Sequence, residues 1–394
     1  MRSAIRLKTE MRRIYLDHAA TTPVRAEVLE AMLPYFSGGY NASSLHAEGR
    51  AARAAIDDAR ASIAAILGCK PREIVFCGSG TEADNLAVIG TARAAKGKGR
   101  HIVASAIEHH AVLHALDALR EEGFETTLLE VGATGVVDPA RFAAALRPDT
   151  VLATVMYANN EIGTVQPIAE LAEIARARGI VFATDAVQAG AALPLDVRAL
   201  RVDCLTLSAH KLEGPKGAGA LYVREGTPLE PVLRGGGQER GRRPGTEDVA
   251  GIVGLAAALG LAQAERDAYV AHTRPLRDRL ESALLAAVPA SEANGKASAR
   301  LPNMSSVTIT GVAVEPLLIG LDLEGVAVSA GSACAAGSLE RSHVIAAVRG
   351  SERPEEATLR FSLGRLTTAA EVERVAALVP PLVAAQRAAA PAAV

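Results

Sequence analysis

Three observations predict an α/β fold, with a mainly parallel sheet in a large domain and a smaller domain beside it. Between residues 74 and 223, short apolar runs rich in β-branched residues alternate with segments of helical period, as in a sheet covered by helices. The chain has 394 residues, more than one hydrophobic core ordinarily organises. Apolar residues make up 49% of it, ample for a core. Aromatic residues are only 3% and Trp is absent, so that core must be built from Ala, Val, Leu and Ile.

The elements follow in order. Residues 47–67 carry a helical pattern, and the apolar run 74–77 reads as a strand. It is followed by the turn Gly78-Ser79-Gly80 and a helical pattern from Thr81. Further strands are expected at 101–105, 151–156, 180–184, 202–207 and 218–223, with helices at 112–122, 139–146 and 168–178. A long Ala/Leu-rich helix over 249–272 leads into a second region with strands at 306–310 and 359–363 and a final helix from Ala369. No internal repeat is present, and the Ala/Pro tail from Ala384 is of low complexity.

Charge and cysteine content exclude several classes of function. Basic residues number 42 and acidic residues 44, a formal net charge of −2, which argues against direct nucleic-acid or membrane partners. The basic stretch 234–243 is short and Gly-rich. No apolar run reaches membrane-spanning length, and residues 1–13 lack the apolar segment of a signal peptide, so a cytoplasmic protein is expected. Residues 1–10 read as an extension before an alternative start at Met11. None of the four cysteines forms a C-x-x-C pair, so neither a zinc knuckle nor a redox dithiol is indicated and no metal is expected. Cys77 and Cys204 lie in apolar runs as small buried hydrophobes, and Cys69 has no distinguishing context. Cys334 sits in Ser329-Ala330-Gly331-Ser332-Ala333-Cys334, where no bulky side chain can cover a thiol. It reads either as an exposed, reactive thiol or as a surface cysteine of no consequence.

Two strand ends carry chemistry. After the apolar run 202–207 come Ser208-Ala209-His210-Lys211-Leu212-Glu213-Gly214-Pro215. A desolvated lysine at such a place can hold an aldehyde as a Schiff base, although taken alone a solvated loop lysine is the better reading. The run 180–184 ends on Asp185, the carboxylate that a protonated pyridine nitrogen requires. Together they point to pyridoxal 5′-phosphate. The turn Gly78-Ser79-Gly80-Thr81 matches neither the P-loop nor the dinucleotide fingerprint, but with Ser208 and His210 it could cradle one phosphate ester.

From Tyr15-Leu16-Asp17-His18-Ala19-Ala20-Thr21-Thr22 to Arg360-Phe361-Ser362-Leu363-Gly364-Arg365, the chain resembles the NifS/IscS-like cysteine desulfurases, class V members of the fold-type I pyridoxal-phosphate transferases. The intermediate landmarks are Asn41-Ala42-Ser43-Ser44, Gly80-Thr81-Glu82-Ala83, Glu108-His109-His110, Asn159-Asn160-Glu161-Ile162-Gly163, the Asp185 and Lys211 segments, and Arg243-Pro244-Gly245-Thr246. The small-residue run ending at Cys334 is similar to the group with a longer, mobile cysteine loop.

The resemblance implies a large cofactor-binding domain over 16–264, with a mainly parallel seven-stranded sheet. It implies a smaller α+β domain, 1–15 plus 265–394, carrying the cysteine loop. Lys211 would carry the cofactor and move protons, Asp185 would hold the ring nitrogen protonated, and Gln188 would bond the phenolic oxygen. His109 would stack on the ring and serve as an acid/base, although residues alone do not separate it from His110. Gly80, Thr81, Ser208 and His210 would bind the phosphate, with Thr246 supplied by the partner of a homodimer. Arg360 would clamp the substrate carboxylate, assisted by Asn160 and Asn41. Sulfur from L-cysteine would leave as a persulfide on Cys334 for an acceptor such as an iron–sulfur scaffold or a tRNA-thiolation enzyme.

His18, Ala42 and Glu213 depart from the family's commonest residues, and Glu213 puts a carboxylate close to Lys211 in sequence. A selenocysteine lyase or an aminotransferase on the same scaffold, or a non-catalytic sulfur-carrier scaffold, are the alternatives. An aminotransferase has no use for Cys334. A scaffold would not need Lys211, Asp185, His109, Arg360 and Cys334 together.

Overall fold

The computed structural model describes residues 13–38, 40–331, 342–350 and 356–389. Its strands are β1 (Ile14–Tyr15), β2 (Ile74–Cys77), β3 (His101–Ser105), β4 (Glu125–Leu129), β5 (Thr150–Thr154), β6 (Val181–Asp185), β7 (Cys204–Ser208), β8 (Gly219–Val223), β9 (Ser291–Ala293), β10 (Met304–Thr310), β11 (Val326–Ala327) and β12 (Glu356–Ser362). Seven form one sheet in the order β2-β8-β7-β6-β5-β3-β4. The run from β7 to β4 is parallel, and β8 is antiparallel to both its neighbours. Reversal of β8 alone leaves the carboxyl ends of the other six strands along one edge. Ligands of open α/β sheets bind at such an edge.

Alternation along each strand divides the core between the two faces. Ile74 and Phe76 join one apolar cluster, with Ile56 and Ile63 of helix Ala47–Leu67 and Leu255 of helix Val249–Ala264. Val75 and Cys77 join the other, with Leu116 and Leu119 of helix His110–Glu121. Leu, Val, Ile and Ala dominate both, as a chain with six Phe, six Tyr and no Trp requires.

Strand β4 has no counterpart in the sequence expectations. Its residues Glu-Thr-Thr-Leu-Leu lie at the sheet edge with one hydrogen-bonded neighbour, and most stay partly exposed, so no apolar run marks them. The helix expected over 249–272 is two helices, Val249–Ala264 and Arg266–Ala287, bent by 68° at Glu265. That carboxylate takes two hydrogen bonds from Arg25, at 2.8 and 2.7 Å, a long-range tie that helical period cannot reveal. No single described helix is long and apolar enough to cross a membrane.

A second, antiparallel sheet, β12-β10-β9, and the parallel pair β1-β11 share a separate apolar cluster. Leu280 and Leu284 of helix Arg266–Ala287, and Val375 and Val379 of helix Ala369–Ala389, pack there against Val307, Leu359 and Phe361. Its relevance to the site is Arg360, whose side chain is almost completely buried on β12.

Candidate active site

A cavity of ≈ 220 Å³ opens at the carboxyl edge of the large sheet. At the end of β2, Ser79 caps helix Gly80–Asn85 by accepting the Glu82 N–H at 3.1 Å, and Gly80 and Thr81 face the cavity. The helical path continues through a π turn at Leu86–Gly90, an irregularity frequent beside functional sites. After β3, His109 caps helix His110–Glu121, its Nδ1 accepting the Ala111 N–H at 3.1 Å. An accepting Nδ1 leaves the ring proton on Nε2. His109 lines the cavity, whereas the His110 ring lies 5.0 Å from that of His114 and 4.7 Å from that of His343.

The loop after β5 brings Met156 and Asn160 to the same cavity. It is held by Asn159, whose Oδ1 accepts the Glu161 and Ile162 N–H groups at 2.8 and 2.9 Å while its Nδ2 donates to the Ile107 carbonyl at 3.0 Å. Asp185 ends β6, its Oδ1 accepting the Val187 N–H at 2.8 Å, and Gln188 donates to the Ala19 carbonyl at 2.9 Å. Ser208 ends β7, and the 3₁₀ turn Ala209–Lys211 presents His210 and Lys211. Lys211 Nζ donates to the carbonyls of Ala19 and Ala20 at 2.6 and 2.7 Å. Arg360 enters from the second sheet, with Nη1 donating to the Asn160 carbonyl and Nη2 to Asp17, both at 2.8 Å.

Burial controls the charges here. It lifts Asp185 to about 6, opposed by the Val187 N–H and the positive charge of Lys211. Asp84 is pushed well above the ordinary carboxylate range by burial, then by the charge of Asp185, against a hydrogen bond with Thr206. Glu108 rises to about 8 through burial, opposed by hydrogen bonds from the Ser105 hydroxyl and the Met156 N–H. Burial, then the charge of Lys211, lowers His109 and His210 to about 4, so both are neutral imidazoles at neutral pH.

Asp84 lines the cavity without having been singled out from the sequence. The available signal was its spacing, four residues after Gly80 and so on the same helical face. Asn41 does not reach this cavity. It is exposed, and its Oδ1 is turned to its own loop, accepting the Ser43 N–H at 2.9 Å. Thr246 is exposed and lies outside the cavity lining of this chain. Cys334 lies outside the described residues, as do residues 1–10. Glu213 lines a neighbouring cavity, where it accepts a hydrogen bond from Arg365 at 3.1 Å. Cys77 and Cys204 are buried, and burial raises the pKa of both thiols.

The donor set fits pyridoxal 5′-phosphate. A Cβ on Gly80 would lie 2.9 Å from Val187 Cγ2 and 3.2 Å from Ser208 Cβ, so this part of the cradle stays open because residue 80 has no side chain. The helix start, the Thr81 and Ser208 hydroxyls and His210 suit a phosphate monoester. Asp185 suits a protonated ring nitrogen and Lys211 an aldehyde. Arg360 Nε is buried with no hydrogen-bond partner among the described residues, a donor left for an anion.

Lysine amine, buried carboxylate and phosphate cradle, gathered at the strand ends of a mainly parallel sheet, define a pyridoxal-phosphate protein of the fold-type I class. The chain belongs to the aminotransferase class-V family, which it matches over residues 14–375. It is 48% identical over 378 residues to cysteine desulfurase IscS of Methanosarcina thermophila, covering 96% of this chain and 93% of that one. A solved NifS-like protein superposes with a TM-score of 0.87 at 33% identity, covering 94% of this chain and 99% of the other. The structure of SspA in complex with cysteine superposes with a TM-score of 0.77 at 36% identity, covering 89% and 98%.

Proposed function

We infer that this protein is a pyridoxal-phosphate-dependent cysteine desulfurase, which converts L-cysteine to L-alanine and takes the sulfur on Cys334 as a persulfide. The observation that carries the reading is the meeting of Lys211 and Arg360 on one cavity, an amine and a carboxylate clamp placed as an α-amino acid substrate needs them. The choice of cysteine is supported by the 48% identity to a cysteine desulfurase and by the likeness to a protein solved with cysteine.

When bound, pyridoxal phosphate supplies an electrophilic aldehyde and an electron-accepting ring. Lys211 holds it and moves the proton at the substrate Cα. Asp185 keeps a proton on the ring nitrogen, Gln188 bonds the phenolic oxygen, and Gly80, Thr81, Ser208 and His210 hold the phosphate. His109, with its proton on Nε2, handles the proton at the substrate sulfur. Arg360 and Asn160 orient the carboxylate. The Cys334 thiolate then attacks the substrate sulfur: an S–S bond forms, the Cβ–S bond breaks, and the electron pair stays with the carbon fragment. That fragment takes up protons and leaves as alanine, so the balance requires no external oxidant or reductant.

Thr246 completes the phosphate site across a homodimer, and persulfide sulfur passes to an acceptor protein for iron–sulfur cluster assembly or tRNA thiolation in the cytoplasm. The chain divides into a large domain at 16–264 and a smaller one at 1–15 and 265–394, a boundary supported by the 68° break at Glu265.

The test is alanine and sulfide release from L-cysteine under a reducing thiol, with Cys334→Ala beside the wild type. The wild type is expected to yield both products in equal amounts. The variant should yield neither while keeping its cofactor absorbance. Equal activity of the variant would remove Cys334 as sulfur acceptor and favour lyase chemistry on another substrate.

A further inference from the structure

Cys334 can act only where its segment is tethered, and both tethers meet one buried carboxylate. Residues 332–341 join Gly331 to Ser342. On the near side, Ser329 and Arg360 exchange backbone hydrogen bonds at 3.3 and 2.7 Å. Gly331 follows with φ +113°, and a Cβ there would lie 2.6 Å from Glu161 Oε2. On the far side, the Ser342 hydroxyl donates to the same Oε2 at 2.5 Å. Ser342 also caps helix His343–Arg349, accepting the Val344 and Ile345 N–H groups at 3.1 and 3.2 Å, and His343 donates from Nε2 to the Glu108 carbonyl at 2.9 Å.

Glu161 is itself fixed. It is 1% exposed, its N–H is held by Asn159, and Arg360 and His110 are its charged or titratable neighbours. Both stems therefore rest on the two loops that bring His109 and Asn160 to the cavity. Cys334 follows Gly331 by three residues in sequence, so a shift of Gly331 shifts the start of the segment that carries the thiol.

We propose that Glu161 is a positioning residue for sulfur transfer, its buried carboxylate seating both stems of the Cys334 segment beside the cysteine-binding cavity. This rests on the desulfurase reading above. Glu161 touches neither substrate nor cofactor in this scheme. It acts through Gly331 and Ser342, so its removal should slow the step that needs Cys334 and spare the steps that need only Lys211 and Arg360.

The experiment compares wild type, Glu161→Ala, Glu161→Gln, Ser342→Ala and the Glu161→Ala/Ser342→Ala pair as holoenzymes. Two readouts are taken: the change in cofactor absorbance on adding L-cysteine, and the single-turnover rate of persulfide formation on Cys334, followed by mass spectrometry. Glu161→Ala should leave the absorbance change within about twofold and slow persulfide formation tenfold or more. Glu161→Gln, whose Oε1 still accepts from Ser342, should recover most of that rate. The pair should be no slower than the worse single variant, because both lose one contact. Equal losses in the two readouts, or no loss of persulfide rate in Glu161→Ala and Ser342→Ala, would overturn the proposal. If wild type never forms persulfide on Cys334, the desulfurase reading itself fails and takes this inference with it.

Discussion

Arg360 and Asp17 form an ion pair at 2.8 Å that links strand β12 to the loop after β1, with the arginine side chain 2% exposed. Its other Nη is taken by the Asn160 carbonyl, which leaves the buried Nε and the remaining in-plane N–H groups of the fork to receive a carboxylate. Asp17→Asn keeps the shape and removes the charge that aims the fork. An increase in KM for L-cysteine of about tenfold, equivalent to about 1.4 kcal/mol, is expected with a smaller change in kcat. Arg360→Lys should raise KM further, since an ammonium is a point charge without the rigid planar fork that meets Asp17, Asn160 and a carboxylate from fixed directions. Steady-state desulfurase kinetics test both, and an unchanged KM in Arg360→Lys would remove Arg360 from substrate binding.

Gly80→Ala is expected to weaken cofactor retention. The added methyl would approach Val187 Cγ2 to 2.9 Å and Ser208 Cβ to 3.2 Å, spreading the turn away from the Ser208 side of the phosphate cradle. Cofactor dissociation, followed by loss of absorbance on dilution, should be about tenfold faster than in wild type. Equal off-rates would mean that this turn does not hold the phosphate.

Glu108 gives a prediction about pH and stability. Burial lifts its carboxyl from 4.5 to about 8. Between those values the folded chain keeps a proton that the unfolded chain has released. The group's contribution to stability is thus complete below about 4.5 and is lost as pH rises through 8. Glu108→Gln cannot ionise. Thermal melts of the apoprotein should show wild type losing more stability than the variant between pH 5 and 8.5, and parallel curves would contradict the raised pKa.

Arg60 and Glu239 form a buried pair, with side chains 6% and 1% exposed and hydrogen bonds of 2.8 and 2.6 Å. Glu239 also accepts the Phe76 N–H at 2.9 Å, and the Arg60 guanidinium lies 4.6 Å from the Phe76 ring centroid. Arg60→Ala leaves a buried, unpaired carboxylate and should cost about 3–5 kcal/mol. Denaturant unfolding measures this directly. Replacing both partners with apolar residues should destabilise less than Arg60→Ala alone.

Much of the site was legible because strand ends are local features. Apolar runs at 180–184 and 202–207 announce strands, and the residues that stop them, Asp185 and Ser208 with the nearby Lys211, are the ones delivered to the carboxyl edge. The turn at Gly80 is legible for the same reason. Strand β4 and the break at Glu265 were not legible, because an edge strand needs no apolar run and the partner of Glu265 at the bend is Arg25, 240 residues away.

By itself, then, the sequence determined the α/β class, the Ala- and Val-rich core and the lysine, aspartate and glycine turn at neighbouring strand ends. Hydrophobic period and turn chemistry act over a few residues and can be read from them. Only the tertiary structure decided which of His109 and His110 faces the cavity, that Asp84 joins Asp185 there, that Asn41 does not, and that Glu161 seats Gly331 and Ser342 together. These depend on contacts between segments far apart in the chain and on helix rotation, which burial of the whole core sets and no local pattern encodes.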